Sequence, residues 1–424
     1  MLIELFGRNF GSFRDEFHLS MLATDIDPGS QRGVVEVPVK DEDEPLRLLR
    51  SVAIYGPNAS GKTRLLLAAH ALAFLIESSA KLSSDETLAP YAPFLLDDQN
   101  ANAPVQLGLR AVIDHCVYEY TIEFTQREFV REILTELTSD GPRILFDRHG
   151  QEHVTGQWTE AKQFALLLES FRPNALLLSL ADGLAPGLTG ELAVRIRRLL
   201  GYRNFSLLWP FGSQQVAKRA YEDIGGFQHW LLRWIKDADV GIVDCKAERV
   251  AASSEPSVEE EETAARHPHS TEFRLAFVHA GLQRSVGFDY LRESLGTVKM
   301  VELAPYIYDL THGNETRAFF VDEIGASLHP VLLQTLIRQF NCETPPDRVR
   351  GQLIFATHET LVLDDEAKSA PLRRDQIYLT EKDASGASRL YSIAEFKERN
   401  NLNLRRRYLQ GRYGALPALD RFGV

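Results

Sequence analysis

Ser51-Val-Ala-Ile-Tyr-Gly56-Pro-Asn-Ala-Ser-Gly61-Lys-Thr63 is the stretch that decides the fold. Its apolar start predicts a buried strand, and residues 56–63 match G-x-x-x-x-G-K-[ST] without a mismatch. The apolar period of the next segment, Thr63 to Leu82, predicts a helix. A strand, a glycine-rich turn and a helix in this order predict a phosphate cradle, because the turn aims backbone amides inward and the helix dipole adds partial positive charge.

The residues of this motif have distinct expected roles. We expect the backbone amides of residues 58–63 to surround a β-phosphate. The Lys62 ammonium should reach the β- and γ-phosphates, and the Thr63 hydroxyl should ligate Mg²⁺. The predicted nucleotide-binding residues of the motif are Gly56, Asn58, Ala59, Ser60, Gly61, Lys62 and Thr63.

An acidic pair ends an apolar strand in the second half of the chain, Arg317-Ala-Phe-Phe-Val-Asp322-Glu323. Asp322 is predicted to hold Mg²⁺, usually through a water molecule. Glu323 suits a base that orients and polarises an attacking water. Two carboxylates at a strand end are common by themselves, so the prediction depends on their pairing with the P-loop.

A histidine follows another apolar strand, Gln352 to Thr357. His358 therefore emerges at the carboxyl end of a strand, where ligands of open α/β sheets bind. It could donate a hydrogen bond to a γ-phosphate, or it could be a helix-capping or core histidine. The predicted catalytic residues are thus Lys62, Glu323 and His358.

Changes in hydrophobic period divide the chain into three parts. Residues 1–157 predict an N-terminal lobe with a β meander over about 105–150 and the P-loop. Residues 158–272 predict an inserted helical subdomain with an acidic loop and with helices near 159–171, 187–200 and 214–237. Residues 273–424 predict a C-terminal lobe. Short apolar strands alternating with helices predict a mainly parallel sheet. The predicted fold class is therefore an α/β P-loop NTPase with a mixed sheet core and an N-terminal antiparallel β subdomain.

Composition excludes several other classes of protein. The 424-residue chain has a formal net charge of −12, which argues against a generally basic nucleic-acid-binding surface. No apolar run approaches the roughly 18 residues of a membrane span, and the start lacks a signal-peptide pattern. We expect a soluble, cytoplasmic protein without a membrane partner.

The remaining metal-ligating residue types give weak signals. Cys116, Cys245 and Cys342 lie too far apart for zinc spacing or a disulfide framework. The acidic run Glu255–Glu262, followed by His267-Pro-His269, favours a solvated loop over a metal site.

Several of these segments resemble one known family. Gly56–Thr63, Val321–Pro330 and Ala356–His358 resemble the ABC-type ATPase heads of the SMC and double-strand-break-repair group. The resemblance extends to the compact OLD (overcoming lysogenization defect) branch of AAA-family ATPases used in bacterial anti-phage defence. Asn9-Phe-Gly-Ser-Phe13 is similar to the start of that branch, and Tyr408–Pro417 is similar to the end of its stand-alone ATPase subunits.

The resemblance implies a homodimer, or a higher homo-oligomer, with ATP at the interface. In such heads a signature motif completes the partner's site, and the candidate here is Glu293-Ser-Leu-Gly-Thr297. Ser294 and Gly296 would grip a γ-phosphate across the interface. Leu295 departs from the family pattern, because this position is usually small, and a plain helix N-cap at Ser294 is the alternative. Ser327–His329 would be the adjoining interface loop, and Gln99 is the candidate glutamine loop.

The resemblance also implies a function. PARIS- and Rlo-type defence systems suggest an ATPase switch that uses ATP and Mg²⁺ to control a separate effector, a Toprim-type nuclease, and they allow a phage-encoded trigger. The stretch after His358 is too short for a nuclease domain, so we expect no nuclease activity in this chain.

Two alternatives remain open at this point. An SMC- or RecF-like ATPase of DNA repair or recombination would bind DNA directly, and two arginine clusters would allow it. These are Arg195, Arg197, Arg198 and Arg203, and Arg405, Arg406, Arg407 and Arg412. An ATPase subunit of an ABC transporter is the least favoured interpretation, because the candidate signature motif does not resemble that of transporters.

Overall fold

A seven-stranded and a six-stranded sheet form the frame of the protein. The computed structural model describes residues 1–25, 32–151, 153–160, 168, 171–184, 188–204, 211–237, 241–250, 272–313, 315–342, 351–364, 370–396 and 403–417. The strands are β1 (Leu2–Arg8), β2 (Phe17–Ser20), β3 (Val34–Val37), β4 (Leu46–Leu49), β5 (Ser51–Tyr55), β6 (Val105–Ile113), β7 (Cys116–Phe124), β8 (Phe129–Thr138), β9 (Gly141–His149), β10 (His153–Thr155), β11 (Leu200–Asn204), β12 (Ile242–Val250), β13 (Glu272–Ala280), β14 (Ser285–Asp289), β15 (Ala318–Asp322), β16 (Gln352–Ala356), β17 (Ile377–Lys382) and β18 (Ser388–Ser392). The helices are α1 (Lys62–Ser78), α2 (Asp98–Ala101), α3 (Leu177–Leu184), α4 (Leu188–Leu199), α5 (Phe211–Glu222), α6 (Phe227–Lys236), α7 (Leu295–His312), α8 (Pro330–Phe340) and α9 (Leu404–Leu409).

The six-stranded sheet carries the predicted site. Its order is β11-β15-β16-β5-β17-β18, and all neighbours pair in parallel except β17 and β18. The strand that precedes His358, β16, thus lies between the P-loop strand β5 and the Asp-Glu strand β15. Because parallel strands end at one edge of a sheet, the three predicted segments meet there. The predicted mixed sheet is confirmed.

The seven-stranded sheet is antiparallel, in the order β10-β9-β8-β7-β6-β1-β2. It contains the predicted meander over 105–150 and confirms an antiparallel N-terminal region. Gln352 joins the two sheets, because its side-chain amide pairs with the backbone as a peptide group would. Leu2 N donates to its Oε1 at 2.7 Å, and its Nε2 donates to Leu2 O at 2.9 Å.

Two cores lie on opposite faces of the parallel sheet, as the alternation of side chains along a strand requires. Val52 and Ile54 pack with α1 and the antiparallel sheet. Ala53 and Tyr55 pack with α7, α8 and the C-terminal segment. The P-loop strand is therefore buried on both faces.

One helical stretch of the described residues, Lys62–Lys81, consists of α1 and the short 3-10 turn after it, and it is apolar and long enough to cross a membrane by length and composition alone, with a mean hydropathy of 1.2. Half of the apolar window, 50%, is buried inside the fold. The buried leucines and alanines of α1 pack in the core between the two sheets.

The predicted helical insertion also contains strands, which the hydrophobic periodicity of the sequence did not predict. Helices predicted near 187–200 and 214–237 appear as α4, α5 and α6, and the break between α5 and α6 falls where Gly225 and Gly226 have φ of 71° and 78°. β11 joins the main sheet beside β15, however, and β12 pairs with β13. Strand β11 is five residues long, too short to show alternation, and its partner is distant in sequence. The acidic run, its histidines and most of the helix predicted near 159–171 lie outside the described residues.

Candidate functional site

The P-loop needs glycine at two positions. Gly56 has φ 154° and Gly61 has φ 115°, both in the region that disfavours side chains. A Cβ added at Gly56 would lie 2.4 Å from Thr380 O, and one at Gly61 would lie 2.6 Å from Ser388 Oγ. Helix α1 begins directly after this turn, at Lys62. The predicted strand, turn and helix are thus present.

Lys62 is folded back over the turn. Its side chain is buried, and Nζ donates to Gly56 O at 2.8 Å and to Pro57 O at 2.9 Å. Burial lowers the pKa of Lys62, while the charges of Asp322 and Glu323 act to raise it. An ammonium has three donors, so a third remains for a phosphate oxygen at this turn.

Asp322 is 2% exposed, and its Oδ1 has no hydrogen-bond partner among the described residues. Burial raises the pKa of Asp322, which the Thr63 hydroxyl and the Lys62 charge partly offset. A buried carboxylate oxygen without a donor, beside a threonine hydroxyl, matches the hard oxygen ligands that Mg²⁺ takes. The residues present therefore fit the predicted metal.

Glu323 has an unusual backbone. Its φ is 50°, in the left-handed region, and its side chain is half-buried. Its carbonyl accepts hydrogen bonds from Ala326 N at 2.9 Å and from Lys299 Nζ at 3.1 Å. Lys299 was not among the predicted site residues, because a single lysine within an apolar helix carries no motif.

His358 lies in the electrostatic field of the other three site residues. Partial desolvation of the ring lowers the pKa of His358, and the charge of Lys62 lowers it further, while the charges of Glu323 and Asp322 raise it. The side chain is exposed, which excludes a core histidine, and the cap of the following helical turn is Glu359. Neither alternative role predicted for His358 describes its position. The structure thus brings Lys62, Asp322, Glu323 and His358 together.

The signature segment begins helix α7, and Ser294 is its N-cap. Ser294 Oγ accepts a hydrogen bond from Thr297 N at 3.1 Å, so the capping alternative is observed within one protomer. Leu295 is 56% exposed. A Cβ added at Gly296 would lie 3.1 Å from Ser327 O, so the signature touches the predicted interface loop Ser327–His329 of its own chain. The role of Ser294 and Gly296 across an interface stays a prediction.

Asn9 of the opening motif has a role that the sequence did not reveal. Its buried side chain donates from Nδ2 to Asn100 O, Ala103 O and Pro104 O, and its Oδ1 accepts from Phe94 N. Asn9 therefore shapes the segment that contains the glutamine-loop candidate. Gln99 itself is exposed on α2, and its role stays a prediction.

Arginines of both clusters have acidic partners. Arg195 pairs with Asp114, and Arg198 Nη1 lies 2.6 Å from Glu315 Oε1. Arg405 Nη1 lies 3.1 Å from Asp364 Oδ2. The side chain of Arg203 lies outside the described residues.

A family model described as "AAA domain, putative AbiEii toxin, Type IV TA system" matches residues 51–364. The match starts at β5 and extends past His358, so it includes all the P-loop, Asp-Glu and histidine segments. The chain belongs to this AAA-domain family.

Among solved structures, the SMC head domain from Thermotoga maritima is similar, at 14% sequence identity and a TM-score of 0.39. The alignment covers 92% of this chain and 98% of that chain. No curated protein matches the sequence. The family match confirms the prediction that the chain contains a P-loop ATPase domain of the AAA family.

Proposed function

We propose that the protein is a Mg²⁺-dependent ATPase that closes as a dimer around ATP and thereby controls a separate effector. One observation carries the proposal: Lys62, Asp322, Glu323 and His358 meet at the carboxyl edge of β5, β16 and β15. A cation, a metal-binding carboxylate and a second carboxylate that orients water are groups that catalyse phosphoryl transfer to water, and a histidine beside them can donate to the γ-phosphate.

Each of these residues has a defined part in hydrolysis. Lys62 and the P-loop amides bind and orient the β- and γ-phosphates. Thr63 and Asp322 would hold Mg²⁺, which supplies charge neutralisation at those phosphates. Glu323 takes the proton of the attacking water while the bond between the γ-phosphorus and the ADP oxygen breaks, which gives ADP and phosphate.

His358 acts as a hydrogen-bond donor to the γ-phosphate. Desolvation and the charge of Lys62 lower its pKa, which favours the neutral ring in the nucleotide-free protein. A neutral imidazole donates from one nitrogen only, so the ring would have to turn that nitrogen towards the γ-phosphate to bind it. We therefore assign His358 the sensing part of the switch.

The same proposal makes Ser294 and Gly296 contacts to the partner's γ-phosphate. The backbone start of α7 and the exposed Ser294 hydroxyl support this role, since helix N-termini bind anions. The Ser294 hydroxyl, which now caps Thr297 N, also shares a hydrogen bond with Thr297 Oγ1 at 2.8 Å, and a phosphate oxygen would take the place of that partner. ATP would thus be held between two copies of the chain.

The family description supports the biological role, while the effector rests on the resemblance to PARIS- and Rlo-type systems. That description names a toxin of a type IV toxin–antitoxin system, which supports a role in toxin or defence systems. We propose anti-phage defence, with a separate Toprim-type nuclease as the effector and a phage-encoded trigger.

The decisive experiment is Glu323→Gln. We expect ATP affinity to stay within about threefold while turnover falls by about 10²- to 10⁴-fold, because only the proton acceptor is lost. The ATP-bound dimer should then persist in light scattering after size exclusion. Glu222→Gln, an exposed carboxylate on α5, is the matched control. Turnover near the wild-type rate in Glu323→Gln would show that Glu323 is not the base.

Direct DNA binding is the second candidate, and the ion pairs of Arg195, Arg198 and Arg405 weaken it. A DNA affinity that falls steeply with salt, and that is lost when Arg405, Arg406 and Arg407 are changed to alanine, would favour it over the effector-switch proposal.

A further inference from the structure

Lys299 is a buried cation that no motif accounts for. It is 1% exposed and lies on α7, five residues after Ser294. Its Nζ donates to the carbonyl oxygen of Glu323 at 3.1 Å. Burying an ammonium is unfavourable unless it is hydrogen-bonded or paired, and one of the groups that Lys299 binds is this carbonyl.

The carbonyl that it binds belongs to a strained turn. Glu323 has φ 50° and Ser327 has φ 64°, so two residues with side chains adopt the left-handed conformation within one short segment. That conformation crowds the Cβ against the backbone, and it persists only where surrounding structure holds it. Strain of this kind is typical of sites where geometry matters for chemistry.

Helix α7 contacts this turn at both strained residues. Lys299 binds the carbonyl of Glu323, and the backbone of Gly296 lies so close that an added Cβ would be 3.1 Å from Ser327 O. The helix that begins with the signature segment therefore supports the turn that carries the catalytic carboxylate.

The buried face of α7 is itself anchored. Glu302, three residues after Lys299 and therefore on the same helix face, is 4% exposed. It accepts a hydrogen bond from Tyr290 OH at 3.3 Å, and Tyr290 lies in the turn just before the signature. Tyr290 thereby connects this buried face to the signature segment.

We propose that Lys299 is a positioning residue that makes the hydrolysis of ATP depend on the position of the signature helix in the same chain. When α7 is packed against the turn that contains Glu323 and Ser327, Lys299 holds the Glu323 backbone so that the Glu323 carboxylate faces the attacking water. A protomer whose signature grips the partner's ATP is thereby set to hydrolyse its own. This inference rests on the proposed ATPase function and adds a coupling between the two composite sites.

The first test compares three variants. Lys299→Met keeps the length of the side chain and removes the donor, and we expect kcat to fall about 10- to 100-fold with ATP affinity within about threefold. Lys299→Arg keeps a donor and should recover most of the rate. Ile307→Val, buried on the same helix, is the matched control and should lower the melting temperature without lowering kcat.

Should Lys299→Met not fold, Lys299→Gln gives the same comparison, since its shorter amide cannot reach the carbonyl. Wild-type kcat in either folded variant would overturn the inference. A fall in ATP affinity equal to the fall in kcat would overturn it as well, because it would indicate general damage to the site.

Mixed dimers distinguish an effect of Lys299 on Glu323 of the same chain from an effect on the contact between the signature and the partner's ATP. One subunit carries Glu323→Gln, so both P-loops bind ATP but only the other subunit hydrolyses it. Placing Lys299→Met in the hydrolysing subunit should slow hydrolysis about 10- to 100-fold; placing it in the Glu323→Gln subunit should leave the rate within about threefold. The reverse pattern would overturn the inference and assign Lys299 to the signature's action on the partner.

The wild-type protein distinguishes the two levels of the proposal. If it hydrolyses ATP and Glu323→Gln does not, the proposed function stands whatever Lys299→Met does. If the wild type hydrolyses no ATP, the proposed function fails and this inference fails with it.

Discussion

Gly61→Ala tests how tightly the P-loop is packed around Gly61. Gly61 has φ 115° and is the N-cap of α1. An alanine Cβ there would lie 2.6 Å from Ser388 Oγ and 3.0 Å from Ser12 Oγ. These serines cannot easily give way, because Ser388 Oγ donates to Ser12 Oγ at 2.7 Å and Ser388 N donates to Ser12 O at 2.7 Å.

The expected loss of stability has two parts. A side chain at this positive φ costs about 1–2 kcal/mol, and forcing extra volume into a packed site costs about 1–3 kcal/mol. The sum is about 2–5 kcal/mol. Gly141 is a matched control: its φ is 118°, and nothing lies within 4 Å of an added Cβ. Gly141→Ala should therefore show the conformational cost alone.

Urea unfolding followed by the fluorescence of the four tryptophans gives both values. We expect the unfolding midpoint of Gly61→Ala to lie below that of Gly141→Ala, with unchanged slopes. Equal midpoints would refute the reasoning, because they would show that the serine pair does not confine the turn.

Three further predictions concern the site and its surroundings. Lys62→Ala should weaken ATP binding by about 10- to 100-fold in calorimetry, and unchanged binding would contradict the role of the P-loop. Because burial raises the pKa of Asp322, its ionisation opposes folding at neutral pH. Asp322→Asn should therefore raise the melting temperature of the nucleotide-free protein by about 2 °C at pH 7.5. That gain should shrink as the pH falls through the raised pKa of the folded state, and it should vanish below the ordinary pKa of aspartate, where both states are protonated; an unchanged or lower melting temperature at pH 7.5 would count against it. Asn9→Ala removes the two N–H donors that three backbone carbonyls share, and it leaves the Phe94 N–H without its acceptor. Urea unfolding should therefore show a loss of about 2–4 kcal/mol, and a loss below about 1 kcal/mol would contradict its structural role.

The sequence predicted the parts of the site that lie at strand ends. Gly56–Thr63, Asp322-Glu323 and His358 each follow an apolar run, and a strand followed by a polar residue is a local pattern. Their convergence followed from one rule, that parallel strands share an edge. The order of the strands, with β16 between β5 and β15, could not be predicted, because it depends on pairing between distant segments.

Residues that act over long distances in the sequence were missed for the same reason. Lys299 is unremarkable within its helix, and its role depends on a carbonyl 24 positions away. Asn9 forms hydrogen bonds with backbone atoms of residues that are 85 and 91 positions away in the sequence. Strand β11 was assigned to a helical region because its five residues follow directly on α4. In each case the deciding contact is tertiary, and local periodicity carries no trace of it.

The central place of β16 has a consequence for measuring motion in this protein. Its backbone is hydrogen-bonded to β15 on one side and to β5 on the other, and its side chains are buried. Amide hydrogens of this strand should exchange with deuterium only when the whole sheet opens. Their slow exchange rate is an internal reference for the faster exchange of other segments. The exchange rate of the Glu323–Leu328 segment relative to this reference, measured with and without nucleotide, would report how stable the turn beside the catalytic carboxylate is.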